Sequence, residues 1–352
     1  MADWLSSMQQ TFEYYTVDPG TWNDVKLLDK VLDSSITRDS DTETLCSANI
    51  DTYESVNECY VRTYLVTVQN GVREKHPLAT TLVQSPTSNF DGKTRKVTMD
   101  AYSPLLELKE NSPPIGYHIP KGENIMDVAY RLVREHARAP VVPAKCDITL
   151  SYDFVADVSD TWLSFLTDLI ASAKYKFDLD ERGRILFVPD QDTASLQPIW
   201  TYDDSNSSIL YPELDVEHDL YGIPNVVEVI YSNGVDYFYA KAVNDDPNSP
   251  TSTVSRGREI VHRDTEPSLV GNSSQAQIEE YAKQLLQALS TLEYTVTYKH
   301  GYCPVRLGDC VRLSYAKAGL NNVKARVISQ QIECKPGCMV TEKAVFTNKL
   351  WG

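Results

Sequence analysis

Paired turn dipeptides between strand-forming runs constrain this chain most. At Asn70-Gly71 the run "CYVRTYLVTVQ" turns back into "VREKHPLATTLVQS". A two-residue hairpin needs positive φ at both central positions, which Asn and Gly adopt at least cost. Asp91-Gly92 repeats the device ahead of "TRKVTMDAYS", where Val97, Met99 and Ala101 alternate onto one face. A third pair, Asn233-Gly234, divides "PNVVEVIYS" from "VDYFYAKA". The first hundred residues therefore read as a β-meander beginning near Leu27 and large enough for a sandwich or barrel.

After Pro113-Pro114 the period changes. Ile125, Val128, Ala129, Leu132 and Val133 fall at helical spacing, opened by Asn124 or the Gly-Glu before it and closed by Pro140. A second helix is predicted from Asp160 as N-cap, with Trp162, Leu163, Leu166, Leu169, Ile170 and Ala173 as its stripe, followed by two strands about Gly183. This is a small α/β unit over residues 113–196. From "PIWTYDD" the chain is β again, interrupted by a polar loop, "VNDDPNSPTSTVSRGRE", and by one helix. That helix starts at a capping box, Ser274 with Gln277, and carries Ile278, Tyr281, Ala282, Leu285, Leu286 and Leu289 on one face. The fold class is α+β, mainly β: two β units with a small α/β unit between them.

At 352 residues the chain exceeds one typical core, and no apolar run approaches the roughly 18 residues of a membrane span. "MADWLSSMQQTFEYY" has no basic and apolar export pattern, so synthesis and retention in the cytoplasm are expected. Forty-nine acidic against 33 basic residues, a net charge of −16, argue against a surface that grips phosphates. Such a wall could border a passage for DNA without adsorbing it.

The chain carries no GxSxG, no GxxxxGK and no HExxH. Of six histidines only His218 lies among carboxylates, with Asp215, Glu217 and Asp219 on the opposite face of the same strand. They are the only local candidates for acid–base chemistry, against the plainer reading of a solvated strand. Seven cysteines, an odd number in a reducing compartment, do not make a full disulfide framework. Four of them, Cys303, Cys310, Cys334 and Cys338, fall in the last fifty residues as two local pairs, "CPVRLGDC" and "CKPGC". Three readings are open: buried thiols, a disulfide, or a metal or cluster site. The spacings match no zinc ribbon.

Several stretches taken together, "TLVQSPTSNFDGKTRKVTMDAYSPLLELKEN", "GENIMDVAYRLVREHA", "TWLSFLTDLIASAKYKFDLDERGRILFVPD" and "YGIPNVVEVIYSNG", resemble the baseplate-hub or tail-tip hub proteins of tailed bacteriophages over roughly Leu27 to Trp351. The resemblance implies two tail-tube-like β-barrel domains. On this sequence they would be residues 27–112, after an N-terminal arm of 1–26, and 197–352, with the small α/β domain at 113–196 and an accessory insertion at about 243–274.

It also implies a non-enzymatic virion protein: a homotrimeric ring closing the distal end of the tail tube and adapting its six-fold symmetry to a three-fold tip. The implied partners are a second and third copy, the distal tail or tail-tube protein, the C-terminus of the tape-measure protein, and tip, fibre or receptor-binding proteins. Genome DNA would pass through without specific binding. Its place would be the distal tip of the virion tail, after assembly in the host cytoplasm. Some hubs of this kind are similar in holding a [4Fe–4S] cluster on four C-terminal cysteines, for which Cys303, Cys310, Cys334 and Cys338 are the corresponding positions. The rival readings are a tail-associated cell-wall hydrolase and a glycan-binding adhesion module.

Overall fold

The computed structural model describes residues 2–54, 56–218, 220–232, 237–265, 267 and 274–349. It is mainly β and divides into two compact units, Met1–Leu214 with Tyr298–Ala344, and Asp215–Thr297 with Val345–Gly352. Among the described residues no helix is long and apolar enough to cross a membrane.

In the first unit the chain forms β1 (Gln9–Val17), β2 (Asp24–Leu27), β3 (Val31–Asp39), β4 (Cys46–Thr52), β5 (Tyr60–Gln69), β6 (Val72–Phe90) and β7 (Arg95–Tyr102). The expected N-terminal arm over 1–26 is instead part of the sheet, because β1 pairs along its whole length with β5, from Gln9↔Val68 to Val17↔Tyr60. The Asn70-Gly71 turn is as expected, with φ of 51° and 78°. Asp91 closes the next turn by accepting from the amides of Lys93 at 2.8 Å and Thr94 at 2.7 Å. Val97, Met99 and Ala101 are buried, as their alternation predicts.

The α/β module follows: α1 (Leu106–Lys109), β8 (His118–Ile119), α2 (Ile125–His136), β9 (Phe154–Val155), α3 (Trp162–Ala171), β10 (Tyr175–Leu179) and β11 (Ile185–Pro189). Asn124 caps α2 by accepting from the amides of Met126 and Asp127. The cap of α3 is Thr161 and not Asp160: the Thr161 hydroxyl accepts from the Ser164 amide at 3.1 Å, while the Ser164 hydroxyl accepts from the Thr161 amide at 3.0 Å. Both predicted stripes are buried in one core, together with Phe165, which the spacing did not single out. Gly183, at φ +73°, lets the β10–β11 turn press onto the sheet, and Trp22 Nε1 donates to the Arg182 carbonyl beside it at 2.7 Å.

Next come β12 (Trp200–Asp203), β13 (Leu210–His218), β14 (Val226–Ser232), β15 (Tyr237–Val243), α4 (Thr253–Arg256), β16 (Val261–Asp264), α5 (Gln275–Leu289), β17 (Thr291–Gly301), β18 (Cys310–Tyr315), β19 (Leu320–Glu333) and β20 (Met339–Lys349). In the first unit the strand order is β20-β19-β3-β4-β7-β6-β5-β1-β2, with β18 also on β19 and β12 on β18. Strands assigned to two separate barrels are thus joined in one sheet, through the β3–β19 register Asp39↔Ser329 to Ser35↔Glu333.

The second unit holds the sheet β15-β14-β16 under α5. Ile278, Ala282 and Leu286 meet Val227, Val229, Ala240 and Ala242, as the helical stripe predicts. The Gln277 side chain accepts from the Ser274 amide at 2.8 Å. The insertion expected at about 243–274 is one part of this larger unit. The Asn233-Gly234 turn lies outside the described residues.

Candidate functional site

The four C-terminal cysteines are described and free, as are the other three. Cys334 and Cys338 point into the core of the first sheet, with Ile36, Ile332 and Val340 around them. Burial pushes both thiols up, Cys334 to about 12, which makes them poorly suited as nucleophiles. Cys310 Sγ faces the Val311 carbonyl at 3.8 Å. Cys303 looks elsewhere, its sulfur 3.2 Å from the Tyr202 hydroxyl. Among the described residues no three His, Cys, Asp or Glu side chains converge as a metal site requires. The four thiols expected as a [4Fe–4S] ligand set are thus not gathered at one point among the described residues: Cys334 and Cys338 lie in the core of the first sheet, and Cys303 lies beside Tyr202.

Cys303 belongs to a buried polar chain that spacing did not reveal. Tyr202 Oη lies 3.2 Å from His300 Nε2, and His300 Nε2 lies 3.5 Å from a Glu342 carboxylate oxygen. Glu342 accepts from Tyr298 Oη at 2.5 Å and from Gln330 Nε2 at 2.6 Å. Gln330 in turn accepts from Arg38 Nη1 at 3.0 Å. Glu342 and His300 are fully buried. Burial disfavours the charged imidazole, but its bonds to Cys303 and Glu342 and the Glu342 charge outweigh that and push it up to about 10. That balance favours the protonated ring beside Glu342. Burial, then the Glu342 charge, raises Tyr298 and Tyr202 well above the phenol range. The polar chain is buried along its length and fixes β17, β19 and β20 against one another.

One signal in the sequence could have found it. In "MVTEKAV" the inward positions of β20 are Val340, Glu342 and Ala344, so a carboxylate occupies an apolar register and must find partners inside.

His218 is exposed on β13, its ring 5.0 Å from the Tyr294 ring, and Asp215 and Glu217 are exposed beside it. Asp219 lies outside the described residues. The first unit holds a cleft of about 710 Å³ between the β3–β4 turn, α3, the β10–β11 hairpin and the loop Leu307–Asp309.

No known family profile and no curated protein matches the sequence. The structure does find relatives. A tail protein from Neisseria meningitidis superposes with a TM-score of 0.62 at 15% identity, covering 96% of each chain. The 43 kDa tail protein of prophage MuSo2 from Shewanella oneidensis gives 0.62 at 10% identity over 95% of this chain and 98% of that one. The fold is that of a tail protein. A chain of the Francisella PdpA–VgrG complex carries the tail-protein fold too, with a TM-score of 0.58 at 9% identity; this chain spans 53% of its length.

Proposed function

We propose that the protein is a structural tail hub: a homotrimer that closes the distal end of the tail tube and offers its outer face to tip proteins. The observation that carries the reading is the end-to-end similarity to tail proteins, at a TM-score of 0.62 over 96% of both chains in one case. The match runs over nearly the whole of both chains, and the acidic strand around His218 is exposed. The PdpA–VgrG neighbour, a chain found in a complex, supports a place in contact with other proteins.

The net charge of −16 fits a conduit. Carboxylates facing a lumen repel phosphates and let genome and tape-measure protein move without sticking. Three copies in a head-to-tail arrangement close into a ring when the rotation per step is one third of a turn. The six tube subunits above would then each meet one of two β regions per copy.

Native mass spectrometry together with electron microscopy tests this. A species of about 119 kDa, three times the 39.6 kDa of one chain, with an open axial channel is the expected result. A protein that stays at 39.6 kDa at all concentrations, and does not form rings with the tail-tube protein, would remove the proposal.

A further inference from the structure

The cleft of the first unit is unevenly charged. Asp41, Glu43, Asp168, Asp178 and Asp309 line it, against Lys176 and Arg326, and of these acids Glu43 is paired with Lys109 outside the lining at 2.6 Å. Both lining cations are already directed to one acid outside the lining, Asp190, at 3.2 Å and 3.8 Å. At the inner end Arg306 serves Asp178 at 3.3 Å and Glu181 at 3.0 Å, while Asp309 accepts from the Arg306 amide at 2.7 Å and has no ion pair among the described residues. The Arg306 guanidinium thus pairs with two of these three carboxylates and leaves Asp309 without a cation. Burial raises both Asp178 and Asp309, and the neighbouring acids add to it. Between the acids the walls are apolar: Leu45, Leu163, Phe177, Val188 and Leu307.

We infer that this cleft binds a peptide segment of a partner protein in which a lysine or arginine is flanked by apolar side chains. The cationic head supplies the missing charge at Asp309 and Asp178, and the flanking residues cover the apolar walls. A volume of about 710 Å³ suits a few side chains and not a folded domain. The inference stands on the cleft alone and does not depend on the ring.

Fluorescence anisotropy with two labelled blocked peptides, Leu-Arg-Leu-Arg-Leu and Leu-Glu-Leu-Glu-Leu, tests it on the full chain. The arginine peptide should bind at least about tenfold more tightly. Asp309→Asn, which keeps an acceptor for the Arg306 amide, should weaken it about tenfold, the size of one charge-assisted hydrogen bond. Asp168→Asn, on the exposed side of α3, should weaken it by a smaller factor without touching the core. Glu259→Gln, in the second unit, should leave binding unchanged. Equal affinity for the two peptides, or an arginine-peptide affinity that neither cleft variant alters, overturns the inference. Unaltered thermal unfolding of each variant keeps a folding defect from imitating either outcome.

Discussion

Replacing Glu342 by Ala should be among the most damaging single substitutions in the protein. The carboxylate is fully buried and satisfies three groups at once: the Tyr298 hydroxyl, the Gln330 amide and the His300 imidazolium. Removing one partner of a buried ion pair costs about 3–5 kcal/mol, because the other charge remains without solvent or counter-ion. Two further donors lose their acceptor, at about 1–3 kcal/mol each. Some of this is recovered as His300 gives up its proton, so a net loss of about 5 kcal/mol is expected. That is a fall in melting temperature on the order of 10 °C or more for a unit of this size. Glu342→Gln should lose less, since its carbonyl still accepts from Tyr298 while the charge is gone.

The pair also has a pH signature. A histidine raised from an ordinary 6.5 to about 10 contributes stability that is whole below about pH 6.5 and drains away as pH rises toward 10. Urea unfolding from pH 6 to 10 should therefore show a decline in the wild type that is much flatter in His300→Gln. Nitrogen NMR should find the His300 ring doubly protonated at pH 8. A Glu342→Ala protein within about 1 kcal/mol of wild type, or a neutral ring at pH 8, would refute the reasoning.

Two further outcomes follow from burial and backbone. Cys334 and Cys338, with burial holding their thiols in the protonated form, should resist iodoacetamide at pH 8 in the native protein and react fully in urea; mass spectrometry of labelled peptides reads this, and fast native labelling would contradict the packing. Gly183→Ala should cost about 1–3 kcal/mol by denaturant titration, because a Cβ there would sit 2.8 Å from the Thr80 Cβ on a backbone at φ +73°; a neutral substitution would mean the turn is not pressed on the sheet.

Local order was legible wherever one rule decided it. Asn70-Gly71 demanded a tight turn, and the stripes of α2, α3 and α5 needed only the helical period and an apolar face. The misreadings arose where partners are distant. β1 carries Phe12 and Tyr14 in alternation, but no turn dipeptide ties it to β5, so its pairing is set by strands fifty residues on. Asp160 and Thr161 are both competent caps, and only the reciprocal bond with Ser164 selects the second. The cysteines show the same limit: spacing in "CKPGC" fixes where the backbone turns, whereas the side-chain directions come from the β3–β19 and β19–β20 pleat. The cleft escaped entirely, since its acids come from four separate segments.

The ladder between β3 and β19 ties residues almost three hundred positions apart. While the ribosome is still making this protein, β3 has emerged with one of its two edges bare, and the strand that covers it follows almost three hundred residues later. A growing chain must therefore carry an open edge over that interval, exposed to pairing with neighbouring nascent copies. Completion of the C-terminal strands is what shelters that edge, so premature termination is expected to yield aggregates rather than a shorter soluble protein.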